Sequence, residues 1–255
     1  LFGKVGEDDF AEPALALLRE AGVDLRGVGR SARPTACATI WVDGAAENAI
    51  VVASGANLDA TADQVPDDRL GPECLLVLQM EVPPAENWRL AGRAKSSGAR
   101  VLLNVAPACA LPDEVLRDID FLVVNEQEAA QVAGDIGVGS GRPADLARRL
   151  AGDHGLTCIV TLGGGGALAL GPDGGFSVPV LPVDPIDTTA AGDAFCGALA
   201  AALDDGRDLE QALRFASVGA GLACTRAGTQ VSLPDRADIE ARLADLPAAK
   251  RITGN

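Results

Sequence analysis

Residues 186–199 hold the densest run of chemistry-bearing side chains in the sequence. Asp187-Thr188-Thr189 opens a turn, Ala190-Ala191-Gly192-Asp193 follows, and Ala194–Leu203 continues as an apolar, alanine-rich run. The pattern predicts a loop entering a buried helix. Small residues at 190, 191 and 192 let backbone N–H groups approach an anion closely, at the helix end where partial positive charge collects. Asp193 adds a carboxylate to the same turn. Amides that hold an anion, with a base beside them, are the parts needed to move a phosphoryl group onto a hydroxyl. The same residues also fit an ordinary helix start, with Asp193 as cap and Gly192 as turn.

The elements that must position this turn follow from hydrophobic periodicity. A helix is predicted over Phe10–Ala21, with apolar residues at 10, 14, 15, 17 and 18 and a stop at Gly22. Glu7-Asp8-Asp9 reads as its acidic start. Two short β-rich runs, Ala36–Val42 and Ala49–Ala53, flank Asp43-Gly44 as a hairpin. Apolar runs at Leu75–Gln79, Val101–Asn104, Phe121–Asn125 and Cys158–Leu162 then alternate with helical patterns at Glu86–Ser97, Pro112–Arg117, Glu126–Ala133 and Pro143–Ala151. That alternation predicts a parallel sheet covered on both faces. Ala167–Leu170 and Phe176–Leu181 read as an antiparallel hairpin, and helices are expected at Ala194–Leu203, Leu209–Thr225 and Arg236–Leu246. In such sheets ligands sit at the carboxyl ends of strands. Glu81, Asn104, Asn125 and Thr161 fall at or just past those ends, which points to a cleft along one edge.

Composition narrows the function classes. At 255 residues, a chain buries about 70–75% of its unfolded surface without staples. The net charge is −15 and the basic residues are scattered singly, which argues against nucleic-acid binding. No apolar run is long enough to span a membrane, and no charged-then-apolar leader opens the sequence. Six widely spread cysteines without a C-x-x-C pair read as reduced thiols of a cytoplasmic protein. Cys196, close to the motif, reads as helix packing. The one histidine, His154, lies in a turn-like stretch, so two-histidine metal sites are excluded.

No Walker P-loop is present. Gly163-Gly164-Gly165-Gly166 follows a strand but precedes a β-run, which does not suit a dinucleotide fingerprint. Asp187-Thr188-Thr189-Ala190-Ala191-Gly192-Asp193 resembles the C-terminal signature of the ribokinase-like (PfkB) sugar kinases. The resemblance runs from Gly3 to Leu246 and includes Gly3-Lys4-Val5-Gly6, Gly55-Ala56-Asn57, Gln79-Met80-Glu81, Asn104-Val105-Ala106-Pro107-Ala108, Asn125-Glu126-Gln127-Glu128, Thr161-Leu162-Gly163 and Thr225-Arg226-Ala227-Gly228-Thr229-Gln230. Each segment alone is weak evidence. All of them in this order form a specific pattern.

The resemblance implies a three-layer α/β sandwich with a mainly parallel central sheet and a small β lid, forming one kinase domain over residues 1–255. It implies ATP-dependent phosphorylation of a sugar hydroxyl, with D-ribose the expected acceptor and fructose, 2-keto-3-deoxygluconate or adenosine as alternatives. By the same resemblance Asp193 is the catalytic base and also touches the sugar. Ala190, Ala191 and Gly192 supply the anion hole, and Glu81 binds a sugar hydroxyl. Asn125 and Glu128 organise Mg²⁺ and phosphate. Thr161, Leu162, Gly163, Gly164, Gly165 and Gly166 line the nucleotide, and Ser217 falls in the adenine pocket. A K⁺ site is implied at Asp187, Thr189, Ala223, Arg226, Gly228 and Ser232. The implied partners are the sugar and ATP, with a homodimer formed through the lid. The family's first strand, with its Asn and Asp sugar ligands, and its Gly-Gly-Lys-Gly-x-Asn segment have no counterpart here. The expectation is therefore an N-terminally incomplete domain that keeps residues 36–53 of its lid, is poorly stable and nearly inactive, or is a non-catalytic nucleotide-binding remnant.

Overall fold

The computed structural model describes residues 1–42, 48–137 and 142–253. They form two compact units, one of residues 1–69 and 80–90 and the other of residues 70–79 and 91–255.

In the first unit, strand β1 (Phe2–Gly6) leads into helix α1 (Ala11–Glu20) and returns to strand β2 (Gly27–Ser31), which pairs with β1 in parallel. Gln64 ties the pair together, its side-chain N–H₂ reaching the carbonyls of Gly3 at 2.8 Å and Gly27 at 3.4 Å. Val5, Ala11 and Leu15 make a small core. Phe10 and Leu17, expected on the apolar face of α1, are exposed instead. The acidic start lies just before α1, as expected. Asp8 does more than supply charge at the start of α1, where Thr35 above all, and then the Phe10 and Ala11 N–H groups, lower its pKa. Its carboxylate accepts the Thr35 N–H and hydroxyl, both at 2.7 Å, and so ties the helix entrance to a distant turn. Strands β3 (Cys37–Val42) and β4 (Asn48–Ala53) pair antiparallel, as the hairpin pattern predicts. The Asp43-Gly44 turn itself lies outside the described residues.

The second unit is a seven-stranded sheet. Its strands are β5 (Leu75–Leu78), β6 (Arg100–Asn104), β7 (Phe121–Asn125), β8 (Thr157–Thr161), β9 (Ala167–Gly171), β10 (Gly174–Val178) and β11 (Lys250–Ile252), in the spatial order β11-β10-β9-β8-β7-β6-β5. Strands β5 to β8 run parallel, while β9, β10 and β11 join antiparallel. Helix α2 (Pro84–Ser96) is shared, its residues 84–90 belonging to the first unit, and the helices of the second unit are α3 (Asp113–Leu116), α4 (Glu126–Asp135), α5 (Pro143–His154), α6 (Ala191–Asp204), α7 (Leu209–Ala223) and α8 (Arg236–Arg242).

Alternation along the strands divides the core. Leu102, Val123, Ile159 and Ala169 face Phe195, Leu199, Phe215 and Ala216 of α6 and α7. The intervening residues, such as Val124, Cys158 and Val160, are buried on the opposite face, where α4 and α5 lie against β7, β8 and β9. The result is the expected α/β sandwich.

Local chemistry accounts for the departures. Strand β10 stops at Val178 rather than Leu181 because Pro179 has no N–H for the ladder. The last helix ends at Arg242, where a 3₁₀ turn over Leu243–Asp245 takes over. Arg214 donates to the carbonyls of Leu243, Leu246 and Pro247, at 3.0, 3.2 and 2.8 Å, just before β11. His154 is the last residue of α5 rather than a loop residue. Its side chain is 8% exposed, with Nε2 3.5 Å from Asp113.

Candidate active site

Helix α6 begins with a backbone irregularity. Ala190, its N-cap, has φ 61°, the one non-glycine residue with positive φ among the described residues. A β-carbon costs energy in that conformation. The bend turns the chain so that the first N–H groups of α6 face outward. Ala191 donates back to the Thr188 carbonyl at 3.2 Å and Ala194 to that of Ala190 at 2.9 Å. The N–H groups of Gly192 and Asp193 have no carbonyl partner among the described residues. They are free donors at the positive end of a 14-residue helix.

Asp193 stands in this first turn with its carboxylate open to the solvent side. The surrounding protein still raises its pKa above the ordinary aspartate value by burial. Cys196, one turn further along α6, is buried, and its thiol is pushed up to about 12 by burial, then by the charges of Asp193 and Glu128. That thiol stays neutral, so it is packing, as its position suggested.

Three of the four polar residues expected at strand ends are found there, and of these Thr161 lines the cavity beside the α6 turn. Asn104, Asn125 and Thr161 are the last residues of β6, β7 and β8, and Asn125 lies in register with Thr161. The Asn125-x-x-Glu128 pattern is a reciprocal cap of α4. Glu128 N–H donates to Asn125 Oδ1 at 2.9 Å, and Asn125 N–H donates to Glu128 Oε2 at 2.7 Å. Burial raises the Glu128 carboxyl, and the Asn125 N–H partly offsets this. Each side chain is thereby held by the other residue's backbone N–H. Glu81 is exposed and belongs to the other unit.

A cavity of about 350 Å³ opens beside the α6 turn. Thr161, Gly163, Gly164, Gly166, Thr188, Ala191 and Gly192 line it, together with Ser217, Val180, Leu181, Val183 and Cys224. Gly163–Gly165 forms a 3₁₀ turn, and Gly166 follows with φ +90°. A Cβ at Gly166 would stand 2.1 Å from the Val178 carbonyl oxygen, so this position takes only glycine. Leu162 and Gly165 belong to the same turn without facing the cavity. Segment 180–185, the α7 residues Ala220 and Gly221, and the α7 C-cap Cys224 were not singled out as site residues by the sequence. Their contribution is apolar surface and backbone, which carries no motif.

The loop before α6 is held by Asp187, which accepts Thr189 N–H at 2.9 Å and Gly228 N–H at 3.0 Å. Ser232 is buried and donates to the Thr229 carbonyl at 2.7 Å. Arg226 approaches Asp238 at 3.7 Å, and the Ala223 carbonyl accepts the Arg226 N–H at 3.4 Å. The structure therefore links Asp187, Thr189 and Gly228 directly. No cluster of three or more His, Cys, Asp or Glu suited to a metal occurs among the described residues. No described helix is long and apolar enough to cross a membrane.

Comparison with known proteins gives a consistent picture. Residues 1–236 match the family described as pfkB family carbohydrate kinase. The ribokinase of Haemophilus influenzae is 33% identical over 236 residues, covering 91% of this chain and 77% of that protein. The crystal structure of Thermotoga maritima ribokinase superposes with a TM-score of 0.87 at 30% identity, covering 95% of this chain and 80% of that one. Arabidopsis thaliana ribokinase complexed with ribose and ATP gives a TM-score of 0.83 at 29% identity, with 95% and 80% covered.

Proposed function

Because the chain belongs to the pfkB family of carbohydrate kinases, we propose that it transfers the γ-phosphoryl group of ATP to a hydroxyl of D-ribose, giving D-ribose 5-phosphate and ADP. The observation that carries this reading is the α6 turn, where the Asp193 carboxylate stands with two N–H groups that have no carbonyl partner among the described residues. The similarity to proteins named ribokinase, one of them solved with ribose and ATP, supports the choice of substrates.

The nucleotide lies along the cavity, with its phosphates toward Gly192 and its base toward Val180 and Ala220. Asp193 accepts the proton of the attacking hydroxyl. The hydroxyl oxygen bonds to the γ-phosphorus as the bond to the β-phosphate oxygen breaks. The Gly192 and Asp193 N–H groups hold the negative charge that gathers on the transferring group. A carboxyl raised by burial is a better proton acceptor than an ordinary aspartate, because its affinity for the proton is higher. Glu81 binds a sugar hydroxyl in this reading.

Glu128 and Asn125 suit Mg²⁺, an oxygen-seeking ion, through the carboxylate and the amide oxygen. When bound, it would neutralise phosphate charge. Asp187, Thr189 and the carbonyls at Ala223, Arg226, Gly228 and Ser232 offer oxygen donors only, which suits K⁺. When bound, it would steady the loop leading into α6. We place the reaction in the cytoplasm, where six unpaired cysteines remain reduced. Val51 and Val52, exposed on β4, suit a homodimer through the hairpin. Direct detection of sugar phosphate and ADP, with Asp193→Asn as control, tests the reading.

A further inference from the structure

One stripe of α7 builds a wall of the nucleotide cavity. Ser217 donates its hydroxyl to the Pro179 carbonyl at 2.6 Å. Gly221, one turn on, lies so close to the chain that a Cβ there would stand 2.8 Å from Leu181 Cβ. At the helix end the Cys224 carbonyl accepts the N–H groups of Ile186 at 2.7 Å and Asp187 at 3.2 Å. Residues at i, i+4 and i+7 share one helix face, so these three contacts seat segment 179–187 along α7. The apolar end of the cavity lies between them.

That end offers a base little but shape. Its side chains are those of Val180, Leu181, Val183 and Ala220, with the Ser217 hydroxyl and the Cys224 thiol. The Ser217 hydrogen is already committed to Pro179. Burial and the Asp187 charge push the Cys224 thiol up, which keeps it a neutral, weak donor. At the other end, Thr161 turns its hydroxyl to the Val124 carbonyl at 3.4 Å. Ser217 therefore has no hydrogen left to donate to a base, and its fixed hydroxyl helps shape the adenine pocket through Pro179.

Resting on the kinase reading above, we infer that the donor site recognises the nucleobase as a flat apolar body, so that GTP and purine riboside triphosphate replace ATP as phosphoryl donors. Ser217 is a positioning residue that acts through Pro179. The reacting bonds are the same for each donor. The γ-phosphoryl group leaves the β-phosphate oxygen for the sugar hydroxyl, and the matching nucleoside diphosphate is released. A site built on hydrogen bonds rejects an analogue lacking the partner by about 10⁴–10⁵, whereas an apolar pocket discriminates by only about 10–200-fold.

The test is kcat/KM for sugar phosphate formation with ATP, GTP and purine riboside triphosphate, the last lacking the 6-amino group. The expected result is that both alternatives lie within about 100-fold of ATP, the scale of shape selection. A larger fall for either one overturns the inference. Failure of all three donors, ATP included, counts against the kinase reading instead. Equilibrium binding of ADP against GDP then still reads base tolerance, with the same threshold. Ser217→Ala supplies a second readout. A positioning role raises KM for ATP and GTP by the same factor and leaves their ratio unchanged. A loss confined to ATP shows that Ser217 reads adenine and overturns the assignment. Should that variant not fold, the wild-type donor series decides alone.

Discussion

Gly228 donates its backbone N–H to Asp187 Oδ2 at 3.0 Å, joining residues 41 apart in the chain. The bond ties the turn after α7 to the loop that enters α6. With the Thr189 N–H on the other carboxylate oxygen, it holds the Asp187 carboxyl down at about 2, against the ordinary 3.8.

A carboxyl whose folded pKa is depressed adds stability above its unfolded pKa and loses it as pH falls toward the folded one. For Asp187 that window runs from 3.8 down to about 2. Asp187→Asn should therefore be less stable than the parent protein above pH 4 or so, with the gap closing across the window. Urea unfolding at a series of pH values measures it. A gap that stays constant across the window shows that the Asp187 charge is not what holds the loop.

The same loop shapes the anion hole, so K⁺ should activate the enzyme. The effect should fall on kcat more than on sugar KM, because the proposed cation touches no substrate. Asp187→Ala should weaken the activation. Rates in a bulky organic-cation buffer, with and without KCl, are the readout. Equal rates in the two buffers leave Asp187 as a loop cap alone.

Removing the base, Asp193→Asn, should lower kcat by about 10²-fold or more, the scale of general-base loss. Nucleotide affinity should change little, since the Gly192 and Asp193 N–H groups remain. Because burial raises the Asp193 carboxyl, the acid limb of the rate profile should lie above pH 3.8 and disappear in the variant. A variant that keeps most of its activity reduces Asp193 to a helix cap.

Ala190 should tolerate glycine where other helix positions do not. Its φ of 61° is strained for alanine, so relief of about 1 kcal/mol offsets the extra freedom glycine has when unfolded. Ala201→Gly, within α6 at ordinary helical geometry, should cost about 1 kcal/mol. Chemical denaturation of both variants checks the ordering. Equal losses at the two sites remove the strain argument.

Most of the fold was legible in the sequence because the strands β5 to β8 are continuous apolar runs separated by helical periods. What escaped has a physical cause. Strand β11, Lys-Arg-Ile, has no apolar pattern and forms because Arg214 anchors the chain just before it. Strand β2, Gly-Val-Gly-Arg-Ser, lacks β propensity and is held by β1 and Gln64. Asp8 reads as part of an acidic helix start, and its bonds to the distant Thr35 could not be read from sequence. In the site, Asp193, Gly192 and the glycine turn could be found because they are motif residues. The walls at Val180 and Gly221 could not, since close approach and apolar surface leave no signature. Ser217 stands between these cases: its place at the pocket was legible, but its commitment to Pro179 was not.

The most direct test of the account is kcat/KM of the protein for D-ribose, fructose, adenosine and 2-keto-3-deoxygluconate with ATP as donor. The account predicts that D-ribose is used fastest, with ribose 5-phosphate and ADP formed in equal amounts. A clear preference for any of the other three acceptors, or no phosphorylation of any of them, would contradict it.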